Sequence, residues 1–197
     1  MNRNLPDDAL DILFREARSY NAYYAEPVAE ADIKAIWELA KMGPTSANQL
    51  PARLVWVTSS EGRERLAKVV SDKNRPKVLG APVSVIIGMD VDFHLHLPDL
   101  FPHLDAKSWF EHDAELRFSS AFRNSSLQGA YLIIAARALG FDTGPISGFD
   151  HEGVEAAFFS DTPNVRVNFI MTLGHGDPSS VFGRLPRPEF ERFNRIA

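Results

Sequence analysis

The chain has 197 residues, 45% of them hydrophobic, with a formal net charge of −5 and no cysteine. That length supplies one full core, or one subunit of an intertwined dimer, and too little for two ordinary domains. The acidic balance speaks against a nucleic-acid or anionic-membrane partner, and the missing thiols exclude disulfides, thiolate catalysis and cysteine-ligated metal centres.

Met1 to Asp8 is polar and lacks an apolar signal core, so the default compartment is the cytoplasm. Leu10, Leu13, Phe14 and Ala17 follow at helical spacing, with Asp7 or Asp8 available as a cap. The same spacing recurs at Ile33, Ile36, Trp37 and Ala40 and stops at Gly43-Pro44. Arg53 to Thr58 and Pro82 to Gly88 read as strands, with a helix between them over Glu61 to Val70. Residues 92 to 112 read as an irregular excursion with one short helix, of the kind that often covers a site. Ala114 to Leu139 is a long helix ended by Gly140 as a C-cap glycine. Its best apolar run, Tyr131 to Phe141, is interrupted by Arg137 and too short to span a bilayer. Val165 to Leu173 alternates Val, Val, Phe, Met and Leu against Arg, Asn, Ile and Thr, the pattern of a half-buried strand. The tail from Gly174 is rich in proline, with helical pattern only in its last residues. With no repeat or linker, the elements predict an α+β fold over a single domain, residues 1–197.

Four segments read as loops that could carry chemistry. Arg18-Ser19 offers a charged fork beside a hydroxyl, suited to a phosphate, or else a solvated arginine favoured by a helix C-terminus. Gly43 to Pro51 packs small hydroxyl and amide side chains between two prolines, which suits a polar ring edge or an ordinary turn. Asp142 to Asp150 holds two glycines and a proline on a tight path, with Asp150 as the next N-cap. Arg184-Leu185-Pro186-Arg187 is a basic tail. A rival lies in the excursion, where His94 and His96 on one side of a strand, with His103, Asp105 and His112, would suit a three-ligand metal. Pro98 and Pro102 argue against that strand. The chain also lacks H-E-x-x-H, the P-loop pattern, G-x-G-x-x-G and G-x-S-x-G.

Taken in order, the four loops resemble the nitroreductase family of FMN enzymes over nearly the whole chain. The residues carrying the resemblance are Arg18-Ser19, Pro44-Thr45-Ser46-Ala47-Asn48-Gln49-Leu50-Pro51, Pro145-Ile146-Ser147-Gly148-Phe149, and Arg184 with Arg187. More narrowly, Ala121-Phe122-Arg123-Asn124-Ser125-Ser126, Asp142-Thr143-Gly144-Pro145, Leu100-Phe101-Pro102-His103 and Ser108-Trp109-Phe110 look like the subfamily containing malonic semialdehyde reductase. The resemblance implies a sandwich of a mainly antiparallel sheet with helices, forming an intertwined homodimer with FMN in interface clefts.

The resemblance also implies roles. Arg18 and Ser19, with Arg184 and Arg187, would hold the FMN phosphate, and Asn21 stands in the same cofactor-binding set. Asn74 and Lys77 would reach the pyrimidine edge of the flavin. Pro145, Ile146, Ser147 and Gly148 would lie along the ring, a backbone N–H of Ser147 or Gly148 donating to N5. Pro44, Thr45, Ser46 and Asn48 would come from the other subunit, and Arg123, Asn124 and Ser126 would stand near the acceptor. The family often has basic residues where this chain has Ala17 and Asn21, and glutamate where it has Ser147. NAD(P)H would be the electron donor in a ping-pong reduction of a small acceptor. The candidate acceptors are malonic semialdehyde, giving 3-hydroxypropanoate, or a nitroaromatic or quinone. No side chain is marked out as the catalytic acid or base. A flavin-binding module without turnover and a metal enzyme are the remaining alternatives.

Overall fold

Apolar runs rich in β-branched residues pair edge to edge, because their backbone groups need partners once water is excluded. In a computed structural model describing residues 4–197, four such strands form one antiparallel sheet. They are β1 (Ala52–Val57), β2 (Val83–Asp90), β3 (Asp142–Ile146) and β4 (Val165–Gly174), in the order β1-β2-β4-β3. The first three residues of the polar N-terminus, Met1 to Arg3, lie outside the described residues. The helices are α1 (Asp7–Leu10), α2 (Glu30–Ala40), α3 (Ser60–Ala67), α4 (Arg75–Gly80), α5 (Leu97–Leu100), α6 (Ala114–Ala138), α7 (His151–Phe158) and α8 (Phe190–Phe193).

The sheet is the middle layer of a sandwich. β2 is buried along its whole length and feeds two cores. On one face Ile86 and Ile170 pack with Leu66 of α3, Val78 of α4 and Val154 of α7. On the other, Val85, Ile87 and Met171 pack with Ile36 of α2 and with Leu132 and Ala136 of α6. Each fully buried aliphatic side chain of this kind contributes about 1.5–3 kcal/mol. The α+β expectation holds. Among the described residues, no helix is long and apolar enough to cross a membrane.

Three expectations need correction. The first helix is shorter and differently wound, since α1 passes into a π-helical turn over Asp11–Arg15. On that wider turn an i, i+7 stripe no longer lines up, and Phe14 is exposed. Its N-cap position is held by Pro6, and Asp8 accepts only from the N–H of Ala9. Second, Asp142 to Ile146 is a strand rather than a loop. Pro145 is tolerated there because β3 is an edge strand. Third, the alternation of β4 is broken. Ile87 faces Phe169 and Gly88 faces Val167, leaving Asn168 as an extra residue in the register. The bulge puts Val165 and Val167 on the face of Ile170, and Phe169, Met171 and Leu173 on the opposite one. The Asn168 amide donates to Ser125 Oγ at 2.8 Å and Ser126 Oγ at 3.0 Å, which fastens the bulge to α6.

The end of α6 matches the expected C-cap. Phe141 N–H donates to Ala136 O at 2.9 Å and Gly140 N–H to Arg137 O at 3.0 Å, the paired bonds of a Schellman motif. Gly140 has φ +83°, and a Cβ there would meet no atom within 4 Å. The cost of a side chain is therefore conformational alone. Gly140→Ala should lower stability by about 1–2 kcal/mol, and Gly140→Asn by less. Urea midpoints of the two variants check this, and equal losses would contradict it.

Candidate functional site

The two chain termini meet at a basic cavity. Ser19 bridges Thr143 at the start of β3, and the N–H of Tyr20 donates to Thr143 O at 3.1 Å. Beside this bridge lies a cavity of about 560 Å³ lined by Phe14, Arg18, Ser19, Arg137, Arg184 and Arg187, among others. The guanidinium groups are tied across it. Arg18 donates to Phe182 O, and Arg184 to Ala17 O at 3.1 Å. Arg137 donates to Leu13 O at 3.0 Å, and Arg187 to Leu185 O at 3.1 Å. Each guanidinium has five N–H donors, so donors remain for an anion. Burial, reinforced by Arg184, lowers the Arg137 pKa against the opposing effect of Asp142. Four convergent cations with donors to spare suit a phosphate or carboxylate.

Arg137 is the residue that sequence reasoning missed. Its signal was the arginine interrupting the apolar run of α6, a position that only a paired or anion-facing cation occupies at low cost. Asn21 has another task. Its amide donates to Ser180 O at 2.9 Å, and it does not line the basic cavity.

β3 leads away from this cavity toward the Pro145–Gly148 loop. From Thr143 to Ser147 is four residues of extended chain, about 13 Å. Gly144 permits the close approach of three segments. A Cβ there would stand 2.5 Å from Tyr20 O and 2.6 Å from Thr172 Oγ1. Tyr23, half-buried beside it, contacts Thr172 Oγ1 at 2.8 Å, and its burial pushes its phenol pKa up. At the far end, Gly148 O accepts from Asn74 Nδ2 and from the N–H of Ser71, both at 3.0 Å. Asn74 and Lys77 stand three residues apart, at the start and within the first turn of α4, and so share a face. Thus Asn74 meets the Pro145–Gly148 segment at Gly148, and Lys77 lies on the same face of α4 as Asn74. Ile146 departs from the expectation, because its side chain belongs to the core and only its backbone is available.

The Pro44–Pro51 loop is strained and heavily fastened. Ala47, Asn48 and Leu50 have φ of +48°, +49° and +39°, a region that costs non-glycine residues about 1–3 kcal/mol each. A row of polar residues on α6 offsets this. Ser120 Oγ accepts from Gln49 Nε2 at 3.0 Å, Asn124 Oδ1 from the N–H of Ser46 at 2.8 Å, and Gln128 Oε1 from the N–H of Ala52 at 2.8 Å. Thr45 Oγ1 accepts from the N–H of Leu50, and Asn48 donates to Leu100 O at 2.8 Å. Pro44 and Ser46 are exposed.

Asn124 therefore lies beneath the loop, buried, with its amide spent on Ser46 and Ser120, rather than facing an acceptor. Ser126 bonds Phe122 O and Asn168. Arg123 is exposed, in an open cavity of about 500 Å³ with Phe118, Ser119, Phe122 and Ser126. Phe118 and Phe122 also line an adjoining cavity of about 340 Å³ with Met89, His151, Arg166 and Asn168.

The histidines of the excursion are not on a strand. Phe93–His96 forms a single 3₁₀ turn that leads into α5, and Lys107–Trp109 forms another. Phe93, Leu97, Ala106 and Phe110 close a small core against Met89 and Ala121. His94 is buried edge-on to Phe93, whereas His96 Nε2 lies 3.4 Å from Asp90 Oδ2. Among the described residues, no group of three His, Asp or Glu side chains is arranged to hold a metal ion.

Comparison with known proteins adds to this geometry. The pattern that defines the nitroreductase family matches residues 14–175. A Burkholderia lata protein provisionally named NADH dehydrogenase/NAD(P)H nitroreductase is 54% identical over 192 residues, 98% of each chain. Two solved structures share the fold. One, from Exiguobacterium sibiricum, is provisionally described as a nitroreductase in complex with FMN. It has a TM-score of 0.85 at 19% identity, covering 99% of this chain and 100% of that one. The other is a gut-bacterial enone reductase of fatty-acid saturation, with a TM-score of 0.86 at 17% identity, covering 98% and 99%.

His94 makes the excursion sensitive to acid. Burial first, then the nearby Arg117, lowers its pKa, with Asp92 opposing. The folded state thus binds this proton less readily than the unfolded chain. The associated stability is present above the unfolded value of about 6.5 and is lost as pH falls toward the folded pKa. The urea midpoint should drop between about pH 7.5 and 5.5, and His94→Phe should flatten that drop. Parallel declines in wild type and variant would assign the effect elsewhere.

Proposed function

The chain belongs to the nitroreductase family, and on that premise we propose that it holds FMN non-covalently and uses NAD(P)H to reduce a small acceptor. The observation that carries this reading is the four-arginine cavity joined through β3 to the Pro145–Gly148 loop. A phosphate at one end and a flat polar ring at the other match the chemistry of those two ends. Arg18, Ser19, Arg184 and Arg187, with Arg137 as an addition, would hold the phosphate. Lys77 would bring positive charge to the pyrimidine edge, and Asn74, its Nδ2 spent on Gly148 O, keeps Oδ1 as an acceptor there. The N–H groups of Ser147 and Gly148 would face the ring. When bound, FMN supplies hydride chemistry in two half-reactions, the donor leaving before the acceptor enters.

In the same reading the unit is a homodimer, and Pro44, Thr45, Ser46 and Asn48 serve the partner's flavin. The basic cavity and this loop share no lining residue within one chain. The support for a dimer is exposed apolar surface. Phe122, Leu127 and Tyr131 of α6 are 50%, 43% and 38% exposed, and Phe193 and Ile196 of the tail are 70% and 91%. These side chains are available for a second copy of the chain to cover. The protein is taken as cytoplasmic, without a nucleic-acid or membrane partner.

Two acceptor readings have support. Malonic semialdehyde suits Arg123, an exposed guanidinium available to a carboxylate. A nitroaromatic or quinone suits Phe118 and Phe122, half-exposed in two adjoining cavities. Comparing kcat/KM for the acceptors separates them, and Arg123→Ala should slow only the aldehyde.

Purified protein should carry or take up FMN, visible as flavin absorbance after gel filtration. Arg18→Ala should weaken FMN by about 1.5–3 kcal/mol, roughly ten- to a hundredfold, while hardly affecting riboflavin, which lacks the phosphate. Equal losses for both flavins would remove Arg18 from the phosphate site. Leu127→Glu should yield a monomer in analytical ultracentrifugation with greatly reduced FMN binding. A monomer that keeps tight binding would refute the shared site.

A further inference from the structure

Asp90 ends β2 at the point where the excursion leaves the sheet, and its carboxylate is only 2% exposed. Burying a charge is costly unless it is paired and hydrogen-bonded, and here the partners come from four directions. Arg53 Nη2 of β1 donates to Oδ2 at 2.6 Å, and Asn164 Nδ2 to Oδ1 at 2.7 Å. The N–H of Asp92 donates to Oδ1 at 2.8 Å, and His96 Nε2 lies 3.4 Å from Oδ2. The N–H of Asp90 itself donates to Pro51 O at 2.8 Å.

Arg53 extends this network into the strained loop. Its Nη1 donates to Leu50 O at 3.1 Å and Ala52 O at 3.0 Å. Leu50 is one of the residues at positive φ. A second tie runs in parallel, from Asn48 Nδ2 to Leu100 O of the excursion. The excursion also reaches α6, where Arg117 Nε stands 3.7 Å from Asp92 Oδ1. None of these groups lines the basic cavity or belongs to the Pro145–Gly148 loop.

We infer that Asp90 and Arg53 are positioning residues that clamp the 92–112 excursion and the Pro44–Pro51 loop into one unit, so that the excursion sets the conformation of the loop offered to the flavin ring. The second half of this inference rests on the flavin reading; the clamp itself does not. The planar fork of Arg53 joins a carboxylate to two backbone carbonyls at once, which a point charge cannot do. The excursion therefore acts as a brace rather than as a lid.

Hydrogen exchange of the full-length protein tests the clamp without flavin. Asp90→Asn should raise exchange about tenfold in both residues 44–51 and 92–101. Arg53→Lys, which keeps a charge for Asp90 but loses the fork, should leave 92–101 protected while raising exchange in 44–51. Val57→Ala, at the opposite end of β1, should loosen the core without this paired pattern. Faster exchange confined to 92–101 in Asp90→Asn would overturn the coupling. At saturating FMN, Asp90→Asn should alter the visible circular dichroism of bound flavin, and Val57→Ala should not. Unchanged dichroism in flavin-loaded Asp90→Asn would show that the clamp does not set the site. A wild type that takes up no flavin would instead defeat the cofactor reading, with the exchange result still deciding the clamp.

Discussion

Buried polar groups must be paired, and in this protein that requirement falls on one helix. α6 carries Ser120, Asn124, Ser125 and Gln128 inside the structure, all at or below 5% exposure. An unsatisfied group in such a place costs about 1–3 kcal/mol, so these side chains select partners with little freedom, although Gln128 pairs through Oε1 alone and its Nε2 has no partner among the described residues. Ser120, Asn124 and Gln128 fall at i, i+4 and i+8, on one face, and hold the Pro44–Pro51 loop in a conformation it would not adopt alone. Ser125 and Ser126 take the bulged Asn168 of β4. One helix thereby anchors the loop on either side of its left-handed residues, Asn48 and Leu50 being held by Leu100 and Arg53, and it also fastens the face switch of the strand.

The basic cavity follows a different logic. Here, among the described residues, the four arginines form no ion pair with a carboxylate, although Asp142 acts on Arg137 from a distance. Arg18 and Arg184 are restrained by bonds to carbonyls that link residues 17–18 to residues 182–184, and Arg137 by one that links α6 to Leu13. Such bonds hold a guanidinium in place without consuming its charge. The termini are thus brought together by the same groups that would bind an anion. Arg137 matters most to this balance, because it projects from the rigid α6 whereas the other three arginines sit on irregular chain.

The site was legible in parts, for reasons that can be named. Arg18, Ser19, Arg184 and Arg187 were singled out by the resemblance, since each reads equally as part of a solvated segment; the structure brings them to one cavity. Asn74 and Lys77 came only from resemblance, since α4 is too short to show a periodic pattern. Asn124 came from the resemblance as a residue near the acceptor, whereas within one chain its amide is spent on Ser46 and Ser120. A polar residue within a helix of mixed pattern says that something must pair with it, and not whether the partner is a ligand or a backbone N–H. Ile146 failed differently, because motif membership does not tell which residues use the side chain and which only the main chain.

The sequence by itself determined the longer elements, their order and the α+β class, since these rest on short-range periodicity, caps and turn residues. Its motifs also named three arginines and a serine, Arg18, Ser19, Arg184 and Arg187, that the basic cavity collects, to which the fold adds Arg137. Tertiary structure alone decided that Asp142 to Ile146 is an edge strand, because strand identity there depends on the free edge of β4 and not on the chain's own weak preference. It alone decided the bulge at Asn168, since the side-chain period inverts wherever pairing skips a residue, and no local signal marks the skip. It alone joined Arg53, Asp90 and the positive-φ loop, residues far apart in the chain whose union follows from where two strands begin and end. Local physics specifies the pieces, whereas contacts between distant segments, governed by burial and hydrogen-bond satisfaction, specify which atoms meet.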